Sequence, residues 1–244
     1  MSGTIRASLR LLVLQGAWNY ERMIGIGMGF AAQPLLEDLK SADPLRHAEA
    51  SVRSADFFNS HPYLAGLALG ALVRCEYDQL PGPQIARLRV ALTSALGALG
   101  DQVFWAGMVP AAVGAALVGV ALGAGLWWVA AITLGYLAIR VGTGVWALRT
   151  GLRSGARVGD AITQSWLRPA ALRTGLAAGL LIGMAVPAVT GWLLRPLGYD
   201  MVLLAFATLL LGLAAGWKLG PRITAVKFGL GAVGLALLFA WGWP

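Results

Sequence analysis

From Val103 to Trp243 the chain is a succession of apolar runs, Val103 to Leu122, Leu126 to Leu148, Thr174 to Leu194, Met201 to Trp217 and Ile223 to Trp243. A helix rises about 1.5 Å per residue, so each run is close to the length that crosses about 30 Å of hydrocarbon. Inside hydrocarbon the backbone polar groups have to pair within the segment, which favours a helix for each run. Composition points the same way. With 58% hydrophobic and 12% charged residues, and a mean hydropathy of +0.70, the 244 residues hold too little polar material to cover a soluble globule. The expected fold is an all-α integral membrane protein. About five C-terminal transmembrane helices (residues 103–244) follow an N-terminal region (residues 1–102) of cytoplasmic, interfacial and re-entrant helices.

The net charge of +8 is distributed between the apolar runs rather than over one soluble face, which argues against a nucleic-acid partner and for a lipid bilayer. Arg149, Arg153, Arg157, Arg168 and Arg173 face a single acid, Asp160, between the second and third runs, and Lys218 and Arg222 separate the fourth from the fifth. The positive-inside rule makes both connections cytoplasmic. Alternation then leaves the N-terminus inside and the C-terminus outside. Trp127, Trp128, Trp192, Trp217, Trp241 and Trp243 sit at run ends, where aromatic belts form. No signal peptide is evident, so the N-terminus is expected to be retained. The single Cys75 supplies neither a disulfide nor a metal cluster, and no cofactor is implied.

The first hundred residues are more varied. Ile5, Leu9, Leu12 and Val13, with Arg6 and Arg10, suit a short helix lying on the membrane surface. Asp43-Pro44 reads as an N-cap followed by the first helical position. Phe57 to Val73, broken by Pro62, predicts a re-entrant or interfacial hairpin with Asp56 as cap. After Pro81-Gly82-Pro83, Gln84 to Ser94 predicts a helix with Arg87 and Arg89 on its surface. Gly97 to Asp101 predicts a turn, with Asp101 capping a helix that begins near Val103.

Polar residues cluster in these apolar surroundings at Gln15 to Met23, Asp56 to Pro62 and Gly97 to Trp105. A polar group buried in hydrocarbon without a partner costs several kcal/mol, so such clusters mark a polar path or a protein interface. On a helix, Gln15, Trp18, Asn19 and Arg22 share one side by their spacing of three and four. Amides, carboxylates and aromatic rings together offer directional hydrogen-bond partners beside an apolar face. The candidate substrate or partner-interface residues are Gln15, Trp18, Asn19, Tyr20, Glu21, Arg22, Asn59, His61 and Asp101. Blander roles stand beside these. Glu21-Arg22 also reads as an interfacial pair that orients a helix, and Asn59, His61 and Pro62 as a turn that satisfies freed backbone groups.

Gly16-Ala17-Trp18-Asn19-Tyr20-Glu21-Arg22-Met23, Phe57-Phe58-Asn59-Ser60-His61-Pro62-Tyr63 and Gly97-Ala98-Leu99-Gly100-Asp101-Gln102-Val103-Phe104-Trp105 resemble three signature blocks. These are the blocks of the IID component of the mannose/fructose/sorbose family of the phosphoenolpyruvate-dependent sugar phosphotransferase system (PTS). The resemblance implies a multi-pass subunit of the bacterial inner membrane, in obligate complex with a IIC subunit and forming with it the path of a hexose. Soluble IIA and IIB proteins would pass the phosphoryl group to the sugar. This chain would carry neither that group nor catalytic residues. Ser94-Ala95 stands where the family usually has Gly-Pro, and a non-transporting structural or regulatory subunit derived from the family is the alternative. A self-contained transporter or membrane enzyme finds no catalytic arrangement to support it.

Overall fold

The structure is a computed structural model that describes residues 3–194; the fourth and fifth apolar runs lie outside the described residues. One compact unit extends to Val189. Its elements are helical, in line with the all-α expectation.

Helix α1 (Thr4–Leu12) buries Ala7 and Leu11 and leaves Ile5, Leu9 and Leu12 uncovered, the two-sided pattern of a surface helix. Arg10 reaches back to α2 (Gly25–Ala42), donating to the Phe30 carbonyl (2.7 Å) and to Gln33 Oε1 (3.0 Å). Helix α3 (Pro44–Ser54) begins as its sequence predicts: the Asp43 carboxylate accepts from the Arg46 N–H at 3.0 Å and Pro44 occupies the first turn.

Helix α4 (Ala65–Tyr77) is the centre of the unit, with every residue from Ala65 to Val73 buried. It packs on α7 (Leu126–Ser154) at a crossing made by glycines. A Cβ added to Gly70 would stand 2.5 Å from the Leu148 carbonyl oxygen and 2.5 Å from the Leu152 nitrogen, and one added to Gly151 would strike the Leu67 carbonyl oxygen. Backbone thus meets backbone, the small-residue packing on which helices in lipid rely. On its other side α4 holds α3 through Glu76, whose buried carboxylate is clasped by Arg53 (2.9 and 3.1 Å) and Arg46 (3.0 Å).

Helix α5 (Gly82–Gly100), a π-helical stretch (Asp101–Met108) and α6 (Val109–Ala121) form one uninterrupted helical span, Gly82–Ala121. The turn predicted at Gly97 to Asp101 does not form. Gly100 and Asp101 are both helical (φ −66° and −62°), so Asp101 caps nothing; its side chain points outward. Glycine without proline loosened the pattern here without breaking it. A second correction concerns Arg89. The surface position expected for it belongs to Arg87, while Arg89 is turned inward, donating to the Asp56 carbonyl (3.4 Å) with its guanidinium 5.8 Å from the Phe58 ring.

A turn with Gly123 at φ +94° leads into α7, and the Trp128 indole donates to the Ala115 carbonyl across it (2.9 Å). A 3-10 turn at Gly155–Arg157, α8 (Val158–Thr163) and α9 (Leu167–Leu194) come next. The long apolar helices Gly82–Ala121, Leu126–Thr163 and Leu167–Leu193 have the length and composition to cross a membrane, and most of the apolar surface in each is uncovered by the described residues. Gly107 and Gly114 pack on Thr174 and Leu181 of α9, whereas Gly175, Gly179 and Gly183 meet nothing among the described residues.

Candidate functional site

The segment 55–64 is where the polar clusters meet. Helix α3 ends at Ser54 and α4 begins at Ala65, so the residues between are irregular and Asp56 does not cap a helix at Phe57. Phe58 is fully buried and its backbone is held by the end of the first cluster and the residue after it: Ile24 N–H donates to the Phe58 carbonyl (3.0 Å), and Phe58 N–H to the Arg22 carbonyl (3.3 Å). The Arg22 guanidinium donates to the Ala55 carbonyl (3.3 Å).

Residues 15–22 are not the helix that their spacing suggested. A single 3-10 turn, Leu14–Ala17, gives way to extended Trp18 (φ −63°, ψ 136°). Asn19 then redirects the chain. Its Oδ1 accepts from the N–H of Glu21 (3.1 Å) and Arg22 (2.9 Å), and its backbone pairs with Met23 (2.8 and 3.3 Å), which sits at φ +52°. An asparagine that captures nearby N–H groups offers the chain a turn in place of a helix.

The third cluster packs on the second through His61. Its ring stacks on Phe104 (4.9 Å between centroids, 21° between planes) and lies 5.1 Å from Trp105 and 4.7 Å from Tyr63. Gly100 is obligatory beneath it, because a Cβ there would run into the His61 Cβ, which the backbone fixes. The Phe104 and Trp105 rings both lie on the π-helical stretch, a local distortion that recurs at functional sites. Tyr63 extends the cluster to α7, with its hydroxyl 3.1 Å from that of Tyr136 and the Arg140 guanidinium 5.1 Å from its ring.

The three clusters are therefore one structural neighbourhood, with segment 55–64 as the shared element. Trp18, Tyr20, Glu21, Arg22, Asn59 and Asp101 are exposed, Asn19 is half-buried and His61 is buried. Trp18 and Tyr20 pair edge to face at 4.8 Å, and Tyr20 is 83% exposed. Gln15 stands apart, lining a hollow between α1 and α7.

A family model described as PTS system mannose/fructose/sorbose family IID component matches residues 2–186. The chain belongs to the IID family. Among IID relatives, the mannose-specific EIID components of Escherichia coli K12 and O157:H7 are each 32% identical over 116 residues. That match takes in 45% of this chain and 41% of each relative, so it spans under half the length of the curated proteins. Two solved structures share the fold over 99% of this chain. One is a membrane protein (TM-score 0.73, 22% identity, 97% of that chain covered). The other is from the complex of the mannose transporter ManYZ with microcin E492 (TM-score 0.56, 21% identity, 96% covered).

Tyr136 and Arg140 of this IID chain belong to the neighbourhood although the polar clusters did not include them. Their signal was present in the sequence: a tyrosine and an arginine one turn apart inside an apolar run are expensive unless partnered.

Burial pushes the His61 imidazole down to about 4. Its Nδ1 accepts from the Tyr63 N–H (3.3 Å), which fixes the neutral tautomer with the proton on Nε2, and that atom is buried with no partner among the described residues. An unfolded histidine titrates near 6.5, so between pH 6.5 and 4 the unfolded chain binds the proton that the folded chain refuses. Thermal stability is expected to fall on acidification through that window, and His61→Phe, which keeps the stack, is expected to flatten the dependence. Equal acid slopes for wild type and variant, in melting curves from pH 7 to 4.5, would remove His61 as the cause.

Proposed function

We propose that the chain is the membrane-bound IID subunit of a mannose-type permease, pairing with a IIC subunit to form the path of a hexose that IIA and IIB proteins phosphorylate. The observation that carries this reading is the convergence of the three clusters on one loop with polar and aromatic side chains of those clusters left exposed. Trp18, Tyr20, Glu21, Arg22, Asn59 and Asp101 are all exposed, polar or aromatic groups that lipid would not solvate well, and a companion chain or a sugar would satisfy them. Phosphorylation of the arriving neutral sugar makes uptake one-way, because hydrocarbon excludes a phosphate. By the positive-inside rule Arg149, Arg153 and Arg157 face the cytoplasm of a bacterial inner membrane, with the N-terminus inside and the C-terminus outside. Residues 1–102 carry most of the partner-facing positions and residues 103–244 most of the membrane-embedded ones, a division of role rather than of helices.

Uptake in cells lacking other sugar permeases tests the proposal, comparing the complete system with one lacking this chain. Loss of uptake without the chain supports it. Undiminished uptake favours the non-transporting subunit. Asn19 refines the test. Asn19→Ala removes the acceptor for two N–H groups, about 1 kcal/mol for each bond, and is expected to cut uptake about tenfold or more. Asn19→Asp keeps the acceptor and is expected to retain most uptake. Equal activity of the two variants at equal expression would mean that the turn is irrelevant to transport.

A further inference from the structure

A hollow of about 230 Å³ lies between α1 and α7. Ile5, Leu9 and Leu12 wall it from α1; Val141, Gly144 and Val145 wall it from α7. At about 100° per helical residue, Arg140 and Arg149 project to opposite edges of the strip that the last three form. Arg140 is engaged, donating to the Leu12 carbonyl (3.4 Å) and lying over Tyr63. Arg149 is not. A second hollow shares Val145 and Arg149 and adds Arg153. Arg149 and Arg153 are both exposed, one helical turn apart, and neither has a hydrogen bond or ion pair among the described residues. None of the described residues that line either hollow is acidic. Like charges at this spacing repel, and a shared anion relieves the repulsion.

The geometry points to an anionic phospholipid as the occupant, its phosphate on Arg149 and Arg153 and an acyl chain along Val141, Gly144 and Val145 under α1. Several features converge on lipid rather than on a soluble anion. The cavity wall is mainly apolar and ends at a basic rim. Its roof is a helix whose Ile5 and Leu9 are 78% and 60% exposed, as suits a helix at the headgroup boundary. The rim lies where α7 leaves its apolar run, with Trp146 and Trp166 paired beside it at 5.4 Å, an aromatic pair at headgroup level. Basic pockets between membrane helices bind anionic headgroups by this combination. The inference rests on the membrane character of the chain and is independent of whether sugar passes through it.

Native mass spectrometry of the full-length protein, purified in detergent with any membrane partner that accompanies it and stripped of lipid, tests the site. Titration with dioleoyl phosphatidylglycerol or dioleoyl phosphatidylcholine is expected to show the anionic lipid bound about fivefold or more tightly, the factor expected for one basic contact. Arg149→Gln with Arg153→Gln is expected to bring the two lipids to parity. Val145→Trp, which fills the hollow without touching charge, is expected to abolish binding of both at the site. Parity in the wild-type protein overturns the proposal, as does phosphatidylglycerol binding unchanged in both variants. Loss of an accompanying membrane protein with lipid binding unchanged would assign the hollow to that protein and likewise overturn it. Uptake measured in the same variants separates this outcome from a failure of the transport reading.

Discussion

Gly151→Ala is expected to destabilise the protein severely, while Gly135→Ala on the same helix leaves it as stable or slightly more so. The two positions differ in what a methyl group meets. At Gly151 it meets the backbone of α4, the Leu67 carbonyl oxygen and the Ala71 nitrogen (2.9 Å); at Gly135 it meets nothing within 4 Å. A flexible side chain could yield, but a helix backbone held on its other side by Glu76 cannot without moving the whole of α4. Overpacking of this kind costs about 1–3 kcal/mol even where side chains relax. Removing a glycine from an open helical position gains about 0.5–1 kcal/mol. Thermal melts in detergent of both variants check the contrast. Comparable melting temperatures would show that the α4–α7 crossing is looser than its glycine contacts imply. The same crossing carries Tyr136 and Arg140 to Tyr63, so a variant that survives is expected to lose uptake as well.

Much of this architecture was legible in the residues because it is governed by rules that act locally. Apolar runs of spanning length announce α7, α9 and the apolar half of the Gly82–Ala121 span, an Asp-Pro pair announces the start of α3, and α1 shows its two faces by its arginines. What escaped was decided elsewhere in the molecule. The spacing of Gln15, Trp18, Asn19 and Arg22 is helical, yet Asn19 turns the chain, and the turn persists because Arg22 and Ile24 find backbone partners at Ala55 and Phe58, more than 30 residues away. Gly97 and Gly100 look like punctuation, but Gly100 is there to let the His61 ring lie against the helix. The candidate site was therefore found as separate polar clusters. Their meeting on segment 55–64, through the backbone of Phe58 and the ring of His61, depends on contacts that no window of sequence contains.

Glu76 ties α3, which leads into that segment, to α4, and its removal is the second large effect. Its side chain is 4% exposed and accepts from Arg53 Nε (2.9 Å) and Nη2 (3.1 Å), while Arg46 reaches it at 3.0 Å. This hydrogen-bonded contact raises the Arg53 guanidinium above its already high range. Glu76→Ala leaves two half-buried cations with the Gln79 and Leu80 oxygens and Glu49 as their remaining partners, and a buried pair broken on one side costs about 3–5 kcal/mol. Glu49→Ala removes an exposed partner of the same Arg53 and is expected to cost no more than about 1 kcal/mol. Replacing Arg46, Arg53 and Glu76 together by methionine is expected to be milder than Glu76→Ala alone, since the loss comes from stranded charge more than from lost attraction. Chemical or thermal unfolding of the three variants decides it. Were Glu76→Ala no worse than Glu49→Ala, α3 would be held to α4 by apolar packing alone, and the position of Ala55 to Leu64, on which the candidate site is built, would need another anchor.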